Sequence, residues 1–248
     1  MPVLILALVA GAVVGLALGA LGGGGGMLAV PSLVYLLGVP LSAATTAGLV
    51  VVALTAITAL PLHARDGRVR WRTGLLFAMA GIPTALAGGA VAGRLPGDIL
   101  TGGFAVIAAA AALRMLFPGG TRDGARPPRP ARAVASGAGL GAITGVLGVG
   151  GGFLVVPALT SVLGLPMRDA SGTSLLVISA NSLAALATRT STSGGLDWTL
   201  LAPFTAAALL GAWEGSRLAA RTSGLVLRRI FAAVLLAVAS FMIVAALI

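Results

Sequence analysis

The chain has no cysteine, no lysine, one histidine, one tyrosine and six carboxylates in 248 residues. Without thiols there is no disulfide framework, no thiolate metal site and no cysteine nucleophile. A lone histidine and a few scattered acids supply neither a HExxH pair nor a serine–histidine triad, so neither an enzyme nor a resident cofactor is expected. Charged residues make up only 9% of the chain, too few to cover a soluble globule. A hydrophobic share of 58% and a mean hydropathy of +1.08 belong to a protein of the lipid bilayer.

The net charge of +10 comes from 16 basic residues, all of them arginine. Such a balance ordinarily suggests nucleic acid, but these arginines stand in loops between apolar runs, where they act as topology signals; no nucleic-acid partner is expected. The stretch Val3 to Leu18 is apolar with no basic residue before it. It reads as mature protein, not as a cleaved signal.

The chain also says the same thing twice. Gly15, Gly19, Gly22, Gly24, Gly25, Gly26, Pro31 and Leu33 meet identical residues at Gly141, Gly145, Gly148, Gly150, Gly151, Gly152, Pro157 and Leu159. The register continues through Gly38 and Pro40 to Gly164 and Pro166, and through Ala44 and Leu49 to Ala170 and Leu175. A duplicated, glycine-broken hydrophobic segment is the sequence sign of a transporter built from two repeats. The expected fold is all-α and polytopic, with two inverted transmembrane repeats, residues 1–117 and 133–248, joined by a cytoplasmic linker at 118–132 that is rich in proline, glycine and arginine.

Six apolar runs are long enough to cross as helices: Leu41 to Leu62, Thr73 to Ala92, Ile99 to Phe117, Ala170 to Thr188, Leu200 to Leu218 and Val226 to Leu247. Ahead of each triplet lies a glycine-broken element whose second arm is about a dozen residues, near 18 Å of helix, too short to span comfortably. Such elements are either short tilted passes or re-entrant hairpins with glycines at the tip. If they return to the side they entered from, every arginine except Arg94 and Arg189 lies inside; if each crosses once, Arg94, Arg168, Arg217, Arg221, Arg228 and Arg229 fall outside. The positive-inside rule favours the first arrangement, with both chain ends outside and the halves inverted.

Consecutive glycines expose backbone groups that lipid cannot satisfy, so the tracts belong where protein or a wet cavity covers them. The helix starts that follow, at Gly24, Gly25, Gly26 and Met27 and at Gly150, Gly151, Gly152 and Phe153, offer first-turn amides and the positive end of a dipole, a small-anion site without a charged side chain. The competing reading is close helix packing, preferred for scattered glycines such as Gly88 and Gly102. Gly148 to Gly152 is no dinucleotide loop, lacking the strand and the acidic residue that one requires. Hydroxyls and an amide form a second candidate group: Thr45 and Thr46 near the start of one helix, Ser171, Thr173 and Ser174 near the start of its counterpart, then Ser179, Asn181 and Ser182. Thr45, Thr46, Thr173, Ser174 and Asn181 either face substrate or bond to backbone. Glu214 has Arg217 on its own helix face and reads as a local ion pair. His63 reads as interfacial, and Trp71 and Trp198 as interfacial anchors at helix starts.

The doubled glycine segment running into Val-Pro-x-Leu, then Gly-x-Pro and a helix start rich in small and hydroxyl residues, resembles the TauE/SafE family of bacterial sulfite and organosulfonate exporters across nearly the whole chain. The resemblance implies a multi-pass permease of the bacterial inner membrane for a small sulfur-containing anion. The first repeat departs from the second, with Ala47 and Gly48 where the second has Thr173 and Ser174. The expected partners are the small anionic substrate, the bilayer and, in a homo-oligomer, further copies of the chain. The expected mechanism is alternating access, and an anion channel with the same glycine tips or a non-transporting scaffold are the alternatives.

Overall fold

The computed structural model describes residues 2–92, 97–116, 130–147, 152–187 and 197–247. The described residues are helical almost throughout, and no strand occurs among them. Among the described residues ten α-helices follow in order: α1 Pro2–Leu21, α2 Gly24–Pro31, α3 Leu41–Arg65, α4 Trp71–Ala92, α5 Gly97–Leu116, α6 Pro130–Leu147, α7 Gly152–Ser161, α8 Met167–Ala187, α9 Trp198–Arg221 and α10 Gly224–Leu247. A π-helical turn, Ser32–Leu36, extends α2. All six expected apolar runs are helical over their described residues, Phe117 and Thr188 lying outside these, and Trp71 and Trp198 open α4 and α9 as half-exposed side chains.

Among the described residues, four segments are long and apolar enough to cross a membrane by length and composition: Val3–Leu21, Ala43–Arg65, Met167–Ala187 and Gly224–Phe241. Large apolar side chains face outward along them and their neighbours, among them Ile5, Val9, Val106, Leu210 and Leu225, as lipid-facing helices require. The arm before the first glycine tract is longer than the broken-element pattern suggested. It is one helix of 20 residues, about 30 Å, because glycines at 11, 15 and 19 do not interrupt it. The arm after the tract stays short, 8 residues and then the π-helical turn. The second half opens at Pro130, within the expected linker, and proline suits a first helical position because its missing amide would be unpaired there anyway.

The duplicated motif folds twice into the same local geometry. Gly38 and Gly164 have φ of +67° and +69°, left-handed values that glycine adopts without a Cβ penalty. Each closes the helix before it with a bond that reaches back six residues: the Val39 amide donates to the Leu33 carbonyl at 3.0 Å, and that of Leu165 to Leu159 at 3.0 Å. The proline two residues on then starts the next helix, its carbonyl accepting from Ala44 or Ala170 at 2.8 and 2.9 Å. Gly-x-Pro is thus a stop followed by a start.

Each half lends its first helix to the other. Gly11, Gly15 and Gly19 of α1 lie on the backbone carbonyls of Phe204, Ala208 and Ala212 in α9, so closely that no Cβ fits, and Gly137 and Gly141 of α6 lie in the same way on Phe77 and Gly81 of α4. Both pairs run parallel. Helices at corresponding positions also meet: His63 at the end of α3 and Arg68 in the loop after it cover Gly172 near the start of α8, and Arg228 of α10 donates to the Arg114 carbonyl in the last turn of α5 at 3.2 Å.

Candidate functional site

The break after α1 meets the start of α7. Gly22 (φ +76°) and Gly23 carry the chain from α1 into α2, and a Cβ on Gly23 would stand 2.7 Å from the carbonyl oxygen of Gly152, the first residue of α7. The starts of α2 and α7 therefore lie side by side, and a helix start carries amides without intrahelical partners and the positive end of the dipole. Ile178 of α8 closes on this point, within 3.1 Å of where a Gly152 Cβ would be.

The carbonyl end of α1 is buried beside it, and side chains from three helices satisfy it. Ser171 and Ser174 donate to the carbonyls of Leu21 and Gly22 at 3.3 and 2.9 Å. His63 Nε2 donates to the Gly19 carbonyl at 3.2 Å, and Ser216 reaches the same oxygen at 3.4 Å. His63 is only 3% exposed, so it is not the interfacial residue that its neighbouring arginines suggested. A buried helix end needs donors, and the imidazole is drawn in to supply one.

Gly24, Gly25, Gly26 and Met27 form the first half of α2, and Gly152 and Phe153 start α7, so these candidates lie at the neighbouring starts of two helices; Gly150 and Gly151 lie outside the described residues. Thr173 and Ser174 sit one turn away from these starts along α8, both buried and both engaged: the Thr173 hydroxyl accepts the Arg70 amide at 3.0 Å, while Ser174 serves Gly22 and the Ser171 carbonyl. Thr45 and Thr46 lie near the opposite end of the molecule, in the second turn of α3, whose far end carries His63. Asn181 stands further along α8, and its Oδ1 is buried without a partner, as is the hydroxyl of Ser182. Glu214 and Arg217 form the expected pair at 3.3 Å, with Arg217 stacked 3.8 Å over Trp213.

Two features escaped the sequence reading. Arg70, ahead of α4, grips Asp169 in the first turn of α8. At the other end, a cavity of about 160 Å³ opens between the Gly38–Pro40 loop and the starts of α3 and α9, lined by Leu33, Ala43, Ala47 and Leu201 and edged by Asp197. Among the described residues, no cluster of histidine and acid side chains is suited to a metal ion.

Known proteins are similar to this chain over most of its length. The family model described as sulfite exporter TauE/SafE matches residues 7–242. The chain belongs to the TauE/SafE family. It is 35% identical over 250 residues to a probable membrane transporter protein of Xylella fastidiosa strain 9a5c, covering 97% of this chain and 95% of the relative. It is 26% identical over 211 residues to the probable membrane transporter protein YdhB of Bacillus subtilis strain 168, covering 82% and 85%. As a TauE/SafE protein the chain is a membrane transporter and not an enzyme, and its outward-facing apolar helices are what a bilayer requires.

Proposed function

We propose that this TauE/SafE protein exports small sulfur-containing oxyanions, sulfite or organosulfonates, from the bacterial cytoplasm by alternating access of two inverted repeats, residues 1–117 and 133–248, linked by 118–132. The observation that carries the reading is the contact of Gly23 with Gly152: two helix starts, one from each half, present backbone amides at one point. The substrate is held by amides at Gly24, Gly25, Gly26, Met27, Gly150, Gly151, Gly152 and Phe153, with Thr45, Thr46, Thr173, Ser174 and Asn181 supplying hydroxyl and amide donors on the two access routes.

Inversion is supported by how corresponding helices meet. In α3 with α8, and in α5 with α10, the end of one lies on the start of its counterpart, which is what a two-fold axis across the helices generates. The exchange of α1 and α6 between halves obeys the same axis. α1 starts level with α9, and the Gly38–Pro40 loop lies beside Asp197 at the α9 start, which supports a re-entrant hairpin. The arginine-rich loops then face the cytoplasm of an inner-membrane protein.

An inside-negative potential contributes about 2.3 kcal/mol per charge per 100 mV to anion export, so no coupling ion is required. The close contact of the two breaks leaves no open bore at Gly23, which favours a carrier over a channel. Purified protein in liposomes is expected to release sulfite or a sulfonate, with a rate that saturates with substrate and rises with internal negative potential. Release only under a proton or sodium gradient would overturn the uncoupled mechanism, and no release of any anion would overturn transport of this class. Cysteine labelling of either chain end from the cytoplasm would overturn the inverted topology.

A further inference from the structure

The ends of α5 and α9 and the starts of α8 and α10 come together at one level of the molecule, and direct contacts fix the arrangement. Arg168, in the first turn of α8, donates through Nη2 to the carbonyl of Thr222, the residue after α9, at 2.6 Å. A Cβ on Gly224, the first residue of α10, would stand 3.7 Å from Cβ of Met167 and 4.0 Å from Cγ of Arg168. One turn further along α10, Arg228 donates through Nη2 to the Arg114 carbonyl in the last turn of α5 at 3.2 Å. Met115, Met167, Ala219 and Leu227 of the same four helices pack in one buried cluster. Two of the segments long enough to span, Met167–Ala187 and Gly224–Phe241, begin here, which puts the junction at the boundary between lipid and water.

Five arginines surround it: Arg114, Arg168, Arg221, Arg228 and Arg229. Arg168 and Arg228 serve the carbonyl ends of α9 and α5, a favourable place for a cation, yet the Nε of each is buried without a hydrogen-bond partner. Arg114, Arg221 and Arg229 are exposed, and among the described residues their guanidinium groups have no partner. The nearest acids along the chain are already engaged, Asp169 by Arg70 at 2.7 Å and Glu214 by Arg217 at 3.3 Å. No acid among the described residues pairs with any of the five. Between the exposed arginines the surface is aliphatic: Leu218 lies one turn before Arg221, and Leu225, Val226 and Ile230 stand around Arg229, all exposed. Guanidinium groups match phosphate oxygens in shape as well as charge, and the aliphatic side chains beside them match acyl chains. A free phosphate would use only the first of these two features.

We propose that the junction of α5, α8, α9 and α10 is a binding site for an anionic phospholipid, with Arg114, Arg221 and Arg229 holding the phosphate-bearing headgroup and Arg168 and Arg228 positioning the helix ends around it. The inference concerns the bilayer and stands apart from the identity of the transported anion. The test follows the melting midpoint of the full chain in a neutral detergent as dioleoylphosphatidylglycerol is titrated in. Dioleoylphosphatidylcholine supplies the same acyl chains on a headgroup without net charge, and inorganic phosphate supplies the anion without chains. Phosphatidylglycerol is expected to raise the midpoint to a plateau, and the other two to leave it in place. Each arginine near an anionic headgroup counts for about fivefold in binding. Half-saturation should therefore need about tenfold more phosphatidylglycerol, or beyond, in an Arg221→Gln/Arg229→Gln double variant, and about fivefold more in Arg114→Gln. These side chains are exposed, so the variants should melt with the native protein when lipid is absent. Arg72→Gln/Arg132→Gln removes the same charge from two exposed arginines of the α4–α6 pair and should keep the native titration. An equal loss in both double variants, or none in the first, overturns a localised site. Equal stabilisation by phosphatidylcholine overturns selection of an anionic headgroup, and a full response to inorganic phosphate overturns a lipid as the occupant.

Discussion

Arg70 holds one oxygen of Asp169 with two nitrogens, Nε at 2.8 Å and Nη2 at 2.7 Å, and so ties the start of α4 to the first turn of α8. The backbone amide of Arg70 adds a bond to Thr173. In the repeat register Asp169 corresponds to Ala43, and Arg70, the residue before Trp71, has Asp197 before Trp198 as its counterpart. No such grip can form there, and the 160 Å³ cavity lies in its place. The described residues are tied together at one end and leave a cavity at the other.

Breaking the clasp is expected to loosen that end. Arg70 is 58% exposed, so the pair contributes only about 0.5–1 kcal/mol, equivalent to a two- to fivefold change in population. Leu176 lies under Gly74 of α4, 2.9 Å from its Cβ position. A cysteine placed at Leu176 should react with a soluble maleimide about two- to fivefold faster when Asp169→Asn is added. Equal rates would mean that the clasp does not hold this end closed.

The glycines divide by what surrounds them, and substitution should sort them the same way. Gly15→Ala and Gly141→Ala drive a methyl into the carbonyls of Ala208 and Gly81, and each should cost about 1–3 kcal/mol by overpacking. Gly38→Ala meets nothing within 4 Å, but its φ of +67° should still cost about 1 kcal/mol. Gly102→Ala, on an open helix face, should be neutral or stabilising by up to about 1 kcal/mol. Thermal unfolding in detergent ranks all four, and a Gly15→Ala variant as stable as Gly102→Ala would remove the case for a tight α1–α9 seam.

Much of this was legible because the signals are local. The repeat fixed both Gly-x-Pro stops and starts, hydropathy fixed the helices, and the spacing of Glu214 and Arg217 fixed their pair. The length of α1 was not legible: glycines four residues apart read equally as breaks or as a packing stripe, and only the neighbouring helix decides between them. The clasp joins residues 99 positions apart, beyond any periodicity. Thr173, Ser174 and Asn181 look alike along the sequence. Two of them are engaged with α1 and α4 and the third has an idle oxygen, because only the first turns of α8 face the buried carbonyl end of α1.

His63 illustrates that dependence on tertiary contact. Its Nε2 supports the Gly19 carbonyl, which otherwise has only the longer bond from Ser216. His63→Ala should lower stability by about 1–3 kcal/mol through the under-satisfied carbonyl, together with the volume left empty. His63→Gln, which carries a donor of similar reach, should recover part of the loss. Melting temperatures of the three proteins in one detergent make the comparison, and an unaltered His63→Ala midpoint would mean that Ser216 suffices.

Asp197 caps α9 from outside the spanning segment: its carboxylate accepts the Thr199 amide at 3.0 Å and the Thr199 hydroxyl. Those bonds to Thr199 hold its pKa below the ordinary aspartate value. A carboxyl depressed in the folded state stabilises above its unfolded pKa, and that contribution is lost as pH falls through the folded value. The first turn of α9 should therefore fray on acidification. Amide exchange at Thr199, Leu200 and Leu201, corrected for intrinsic rates, should accelerate below the usual aspartate range in the native chain. In Asp197→Asn, which keeps a capping oxygen without the titration, this acid-dependent step should vanish. An identical acid response in both proteins would assign the fraying to another group.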